Sequence, residues 1–161
     1  MNLEVVKVVG GKLNPITDEV VSEVESKLKI RFPVGYREFV TLLGQGFFCE
    51  SYIRVYPPRR ILKEYRDFQK RWTEYWFWDE SRDVLPKEKA LQAIIIADTM
   101  EGDELIFCPD EPDRLYVLPR NKDTIFQVGT TLFEALEWLC RSGILIEPMQ
   151  DNTFEPFEWE W

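Results

Sequence analysis

Two acidic clusters are the residues whose types and spacing most invite chemistry. Asp98-Thr99-Met100-Glu101-Gly102-Asp103-Glu104 sets four acids around one glycine, between the apolar runs AIIIA and LIF. Pro109-Asp110-Glu111-Pro112-Asp113 follows soon after. Carboxylates can ligate a hard metal, work as a paired acid and base, or attract a basic partner. A calcium loop alternates oxygen ligands over about twelve residues and closes on a glutamate. DTMEGDE has neither that length nor that spacing, which leaves Asp98, Glu101 and Asp103 as a poor metal set. A glycosidase-like pair needs two carboxylates facing each other across a cleft. Acids on a hairpin tip are expected to face solvent instead.

A turn accounts for part of the cluster. Met100-Glu101 can form the centre of a type I turn, with Gly102 in the left-handed position of a G1 bulge. Asp98 and Asp103 can then accept hydrogen bonds from turn N–H groups. Glu101, Glu104, Asp110, Glu111 and Asp113 stay unexplained by that device. They face either a basic partner or water.

Composition narrows the choice. The chain has no histidine, which removes Ser-His-Asp and Cys-His nucleophiles and the usual zinc sites. Its three cysteines, Cys49, Cys108 and Cys140, are odd in number and lack CxxC spacing, so small buried thiols in a reducing cytosol are expected. The 29 acids outnumber 20 bases, for a net charge of −9. Such a surface repels nucleic acid and anionic lipid and steers basic partners inward. No apolar run reaches the ~18 residues of a membrane span. The N-terminal MNLEVVKVVGG lacks a cleavage pattern and is not read as a signal peptide. A chain of 161 residues suits one domain.

The elements that must position these residues follow from periodicity. Residues 3–9 suggest a short strand ended by Gly10-Gly11. Thr17 caps a first helix with Asp18 and Glu19 in its first turn, an Ile16–Val21 staple, and Val20, Val21, Val24 and Leu28 on one face. Pro33 is predicted to open a second helix, with Tyr36, Phe39, Val40 and Leu43 on its inner face and a glycine cap in Gly44-Gln45-Gly46. One or two strands over 47–56 stop at Pro57-Pro58. A third helix is predicted over 61–76, with Ile61, Leu62, Tyr65, Phe68, Trp72 and Trp76 as its stripe. Its other side, with Lys63, Arg66 and Lys70 among acids, reads as a solvated face. Trp72, Tyr75, Trp76, Phe77 and Trp78 crowd together, and one helix face cannot bury them all. They either plug the core or meet a partner. Short apolar runs at 93–98, 104–108, 115–118 and 124–128 favour an antiparallel meander. Thr131 and Glu134 form a capping box for a last helix. Leu132, Phe133, Leu136, Leu139 and Cys140 face inward there. Trp138 faces outward, toward the tail or a partner. The tail over 147–161 carries acids with Phe154, Phe157, Trp159 and Trp161, and is expected to dock on the domain or a partner.

The order of these signals resembles the SUKH superfamily, which includes the yeast Smi/Knr cell-wall-assembly regulators. ITDEVVSEVESKLKIRFPVGYREFVTLLGQG carries the likeness: Glu25 and Leu28 near the first helix end, then Pro33, Tyr36 and Phe39, then Gly44 and Gly46. IIIAD, the Gly102-Asp103 turn, ELIF and TLFEALEWL continue it, so it spans about residues 14–142. The resemblance implies an α+β fold, a mixed or antiparallel sheet with flanking helices, as one domain over 1–146 followed by the tail. In bacteria it implies an immunity protein that binds and neutralises a contact-dependent or secreted toxin. In eukaryotes it implies a regulatory interaction module. Neither implies a catalytic residue set or a cofactor.

The expectation is therefore a cytoplasmic, non-enzymatic immunity protein whose partner is a basic toxin domain. If that toxin is a nuclease, its cleft must be positive to hold phosphate, and an acidic surface could compete for it. The partner-facing candidates are Glu101, Asp103, Glu104, Asp110, Glu111, Asp113 and Trp138. The alternative is a regulatory or scaffold module. No metal, nucleic-acid or membrane partner is expected, and no signal specifies an oligomeric state.

Overall fold

The computed structural model describes residues 3–158, so Trp159 and Trp161 of the expected docking aromatics lie outside the described residues. Among the described residues the strands are β1 (Lys7–Val8), β2 (Gly46–Phe48), β3 (Ile53–Val55), β4 (Ile94–Thr99), β5 (Glu104–Cys108), β6 (Glu111–Leu118), β7 (Phe126–Gly129) and β8 (Thr153–Pro156). They form one sheet in the order β1-β8-β2-β3-β4-β5-β6-β7. Every neighbouring pair is antiparallel except β1 with β8. The helices are α1 (Asp18–Leu28), α2 (Tyr36–Leu42), α3 (Pro58–Trp72), α4 (Lys87–Ala90) and α5 (Leu132–Arg141). The α+β class and the meander β4-β5-β6-β7 stand as expected.

The apolar runs explain the sheet's centre. Ile94–Ala97 and all of β5 are buried, so these strands are covered on both faces. At 3–9 the expected strand shrinks to two residues after a 3-10 turn, Leu3–Val5.

The helix pair α1–α2 is joined by one acid. Glu25 accepts the Phe32 N–H at 2.9 Å and pairs with Arg37 at 2.7 Å, fixing the turn between the helices. The second helix starts at Tyr36 and not at Pro33. Gly35, at φ +87°, is the break, and a Cβ there would lie 2.9 Å from the Phe133 ring. Gly44 ends α2 in the left-handed region (φ +80°) and donates to Val40 O at 3.0 Å, as the glycine cap predicted.

The third helix also shifts toward the N-terminus, to 58–72, because Pro58 is tolerated at a first helical position. Trp76 therefore leaves the apolar stripe and is 67% exposed. Trp72, Phe77 and Trp78 are buried, and the Trp78 indole donates to Trp72 O at 2.8 Å. At α5 the Thr131 hydroxyl accepts the Glu134 N–H at 3.2 Å. Glu134 returns to the N–H of Thr130, at 2.7 Å, one residue before the cap. In the tail, Phe154 is fully buried edge-on to Phe39, and Phe157 lies over Phe47 at 4.9 Å.

Candidate functional site

The register of four strands lays a row of side chains across one face of the sheet. Arg54 of β3 pairs with Asp98 of β4, Asp98 with Glu104 of β5, and Glu104 with Leu118 of β6. Directly opposed residues share a face, so two like charges, Asp98 and Glu104, stand side by side. Unpaired, that arrangement would be destabilising. Each acid instead has its own set of donors. Asp98 receives Arg54 Nε at 3.0 Å and the Tyr56 hydroxyl at 2.6 Å. Glu104 receives the Trp72 indole N–H at 2.9 Å, the Tyr75 hydroxyl at 2.7 Å, and the guanidinium of Arg71.

This row floors an open cleft of about 630 Å³. One wall comes from α3 and the segment after it, through Arg60, Phe68, Arg71, Tyr75 and Trp76. The other comes from Gly102 and Pro119-Arg120. Its volume falls in the range of ligand pockets, roughly 300–1,000 Å³. Four arginines (54, 60, 71 and 120) line it against three acids (Glu74, Asp98 and Glu104), a local reversal of the chain's net −9. The Tyr56 ring carries Arg60 at 3.4 Å and Arg54 at 5.6 Å. Burial, then the charge of Asp98, holds the Tyr56 phenol well above its ordinary range. It therefore stays a donor at neutral pH. The bond to Asp98 raises the Arg54 guanidinium further.

Chemically, the cleft offers guanidinium and aromatic surface. Its two floor carboxylates are already saturated by donors. Among the described residues no three carboxylates or thiols converge to hold a metal ion, and no helix is long and apolar enough to cross a membrane.

The acids singled out by sequence do not come together. The DTMEGDE turn is as expected: Gly102 sits at φ +91° and donates to Thr99 O at 2.9 Å. The assigned caps are not. Asp98 serves Arg54 and Tyr56. Asp103 is 4% exposed and accepts from the Thr99 hydroxyl at 2.8 Å and the Arg120 N–H at 3.0 Å. Glu104 is also only 4% exposed. Asp103 and Glu104 thus point into the protein and not to solvent, because buried donors reach them there. Glu101 is exposed at the β4–β5 tip. Asp110, Glu111 and Asp113 lie past the other end of β5, where Lys89 meets Glu111 at 2.6 Å and Asp110 at 3.6 Å. Glu111 and Asp113 already belong to β6, which begins earlier than the 115–118 run suggested. Trp138 is half-buried, its ring 5.2 Å from Phe126 of β7, so it covers the sheet edge.

Sequence reasoning missed Arg54, Tyr56, Arg71 and Arg120. The one available signal was Arg54, a charge placed between Ile53 and Val55 in a strand, aimed at the opposite face.

The family model described as SMI1 / KNR4 family (SUKH-1) matches residues 15–138. The match contains the whole cleft and stops short of β8. No curated protein and no solved structure matches the chain.

Proposed function

The chain belongs to the SMI1 / KNR4 family (SUKH-1), and on that premise we propose that it is an immunity protein, a cytoplasmic binder that neutralises a cognate toxin domain by stoichiometric association, without a catalytic step of its own. The carrying observation is the cleft. Its carboxylates are spent on internal donors, while Trp76 stands 67% exposed at its rim. An exposed tryptophan beside arginines is the composition of an interface anchor. The net charge of −9 steers a basic partner, such as a nuclease domain, toward the surface. Glu101 and Asp113 remain exposed to contribute to that field.

The test is co-expression with the variable C-terminal domain of a large secreted protein encoded beside this reading frame. Cells carrying both are expected to survive and cells carrying the toxin domain alone to die. Equal killing in the two strains sinks the immunity reading for that pair and favours a regulatory module instead.

A further inference from the structure

We propose that the cleft binds a small phosphate monoester joined to a planar ring, the chemistry of a nucleoside monophosphate. The inference stands on the lining of the cleft and not on the immunity reading, so either can fail without the other. Three guanidinium groups gather about one rung of the sheet. Asp98 and Glu104 oppose each other on β4 and β5, which sets their Cβ atoms about 5 Å apart. Arg54 reaches that rung from β3, through both oxygens of Asp98. Arg71 reaches it from α3, through Glu104. Arg120 follows β6 and lies over Gly102, where a Cβ would stand 2.8 Å from its Cδ and 3.1 Å from its Nη1. The glycine thus leaves room for the third guanidinium to fold over the β4–β5 turn.

The floor carboxylates hold these groups without using them up. Arg54 gives Nε and Nη2 to Asp98, and Arg71 gives Nη2 to Glu104 and Nε to the Tyr75 hydroxyl at 3.4 Å. Among the described residues, Nη1 of each and the whole Arg120 guanidinium have no acceptor. Arg71 also rests on the Phe68 ring at 4.5 Å, and Arg54 on the Tyr56 ring at 5.6 Å. Both forks are therefore fixed before a ligand arrives, which lowers the cost of binding. A guanidinium fork matches phosphate geometry, and a monoester's several terminal oxygens can accept from more than one fork.

The wall beside them supplies the surface for a ring. Trp76 is exposed, yet it is held edge-on to the buried Phe77 at 5.9 Å. A base can stack on such an indole whatever its identity, because every base has a π-face. The occupant is a monomer and not a strand. A net charge of −9 repels a polyanion, whereas the cleft itself holds four arginines against three acids. Two of those acids are tied to the floor donors. Glu74, the exposed one, opposes an arriving phosphate.

The test is calorimetric titration of the whole chain with AMP, GMP, CMP and UMP, beside adenosine and inorganic phosphate. At least one monophosphate should bind with a Kd below about 1 mM. Adenosine and phosphate should each bind at least about tenfold more weakly than the best of them. Arg120→Ala and Trp76→Ala alter exposed side chains, so both should keep the urea midpoint while each loses roughly tenfold in that affinity. Glu74→Gln should tighten it. The proposal is overturned if no monophosphate binds below about 1 mM, or if phosphate binds as tightly as the best nucleotide, which marks an adventitious ion only. It is equally overturned if both alanine variants bind like the parent, or if a short single-stranded oligonucleotide binds more tightly than every monophosphate.

Discussion

Replacing Glu104 tests whether the cleft floor is held by its buried acid. The side chain is 5% exposed and collects Trp72, Tyr75 and Arg71. Glu104→Gln keeps the shape but turns charge-assisted bonds into neutral ones, at about 1 kcal/mol for each of the buried Trp72 and half-buried Tyr75 donors, or roughly 2 kcal/mol. Glu104→Ala removes the acceptor altogether. The Trp72 indole N–H, on a residue with 0% exposure, is then left without its partner. Arg71, half exposed, turns to water at little cost. Relief of the opposed Asp98 charge returns a few tenths of a kcal/mol. The sum for alanine is about 3–5 kcal/mol. Urea melts followed by tryptophan fluorescence should show a lower midpoint at unchanged slope. The alanine variant should fall well below the glutamine one. If both variants stay within about 0.5 kcal/mol of the parent, the reasoning about this carboxylate is wrong.

Gly44→Ala should cost on the order of 3 kcal/mol, because φ is +80° and the new Cβ would stand 1.9 Å from the Asn14 carbonyl oxygen; a urea midpoint near the parent's would refute the clash. Alkaline pH should destabilise the fold, since burial lifts the Cys108 thiol from 9.0 to about 11 and also raises the Tyr52 and Tyr56 phenols. The folded state keeps protons that the unfolded chain releases, so the Cys108 contribution is complete below pH 9.0 and lost as pH rises through about 11. Cys108→Ala should flatten that part of the stability–pH curve. Trp76→Ala should leave the urea midpoint unchanged while weakening toxin binding by about 2 kcal/mol, or roughly 30-fold, by calorimetry. Glu101→Lys with Asp113→Lys should slow association most at low salt, and a stopped-flow rate that is unchanged at every ionic strength removes the steering argument.

Much of this architecture was legible because it is local. Gly44 and Gly102 were readable as left-handed stops, Thr131 as a cap, and the meander from apolar runs split by turns. The errors came where distant groups decide. Asp103 and Glu104 looked like solvent acids because, the Thr99 hydroxyl apart, their donors lie far away in sequence. Trp72 lies 32 residues before Glu104, and the Arg120 N–H lies 17 after Asp103. The late start of α2 follows Gly35, whose φ of +87° breaks the helix and where a Cβ would meet the Phe133 ring. The cleft itself depends on strand register, which sets Arg54 opposite Asp98 and Asp98 opposite Glu104. Periodicity assigns a residue to a face but not to a neighbour. The tail's aromatics gave no sign that residues 153–156 enter the sheet between two other strands.

That placement of β8 sets an order in time. Among the described residues β1 pairs with β8 alone, and β8 also closes the free side of β2. The earliest of the described strands to leave the ribosome therefore waits for the latest of them. At ordinary synthesis rates of about 5–20 residues per second, the stretch from residue 138 to 156 takes roughly one to four seconds. The strands that floor the cleft come earlier in the chain and pair among themselves, so they can assemble before that interval ends. A nascent molecule can thus present its arginines and Trp76 while its N-terminal strand is still unattached.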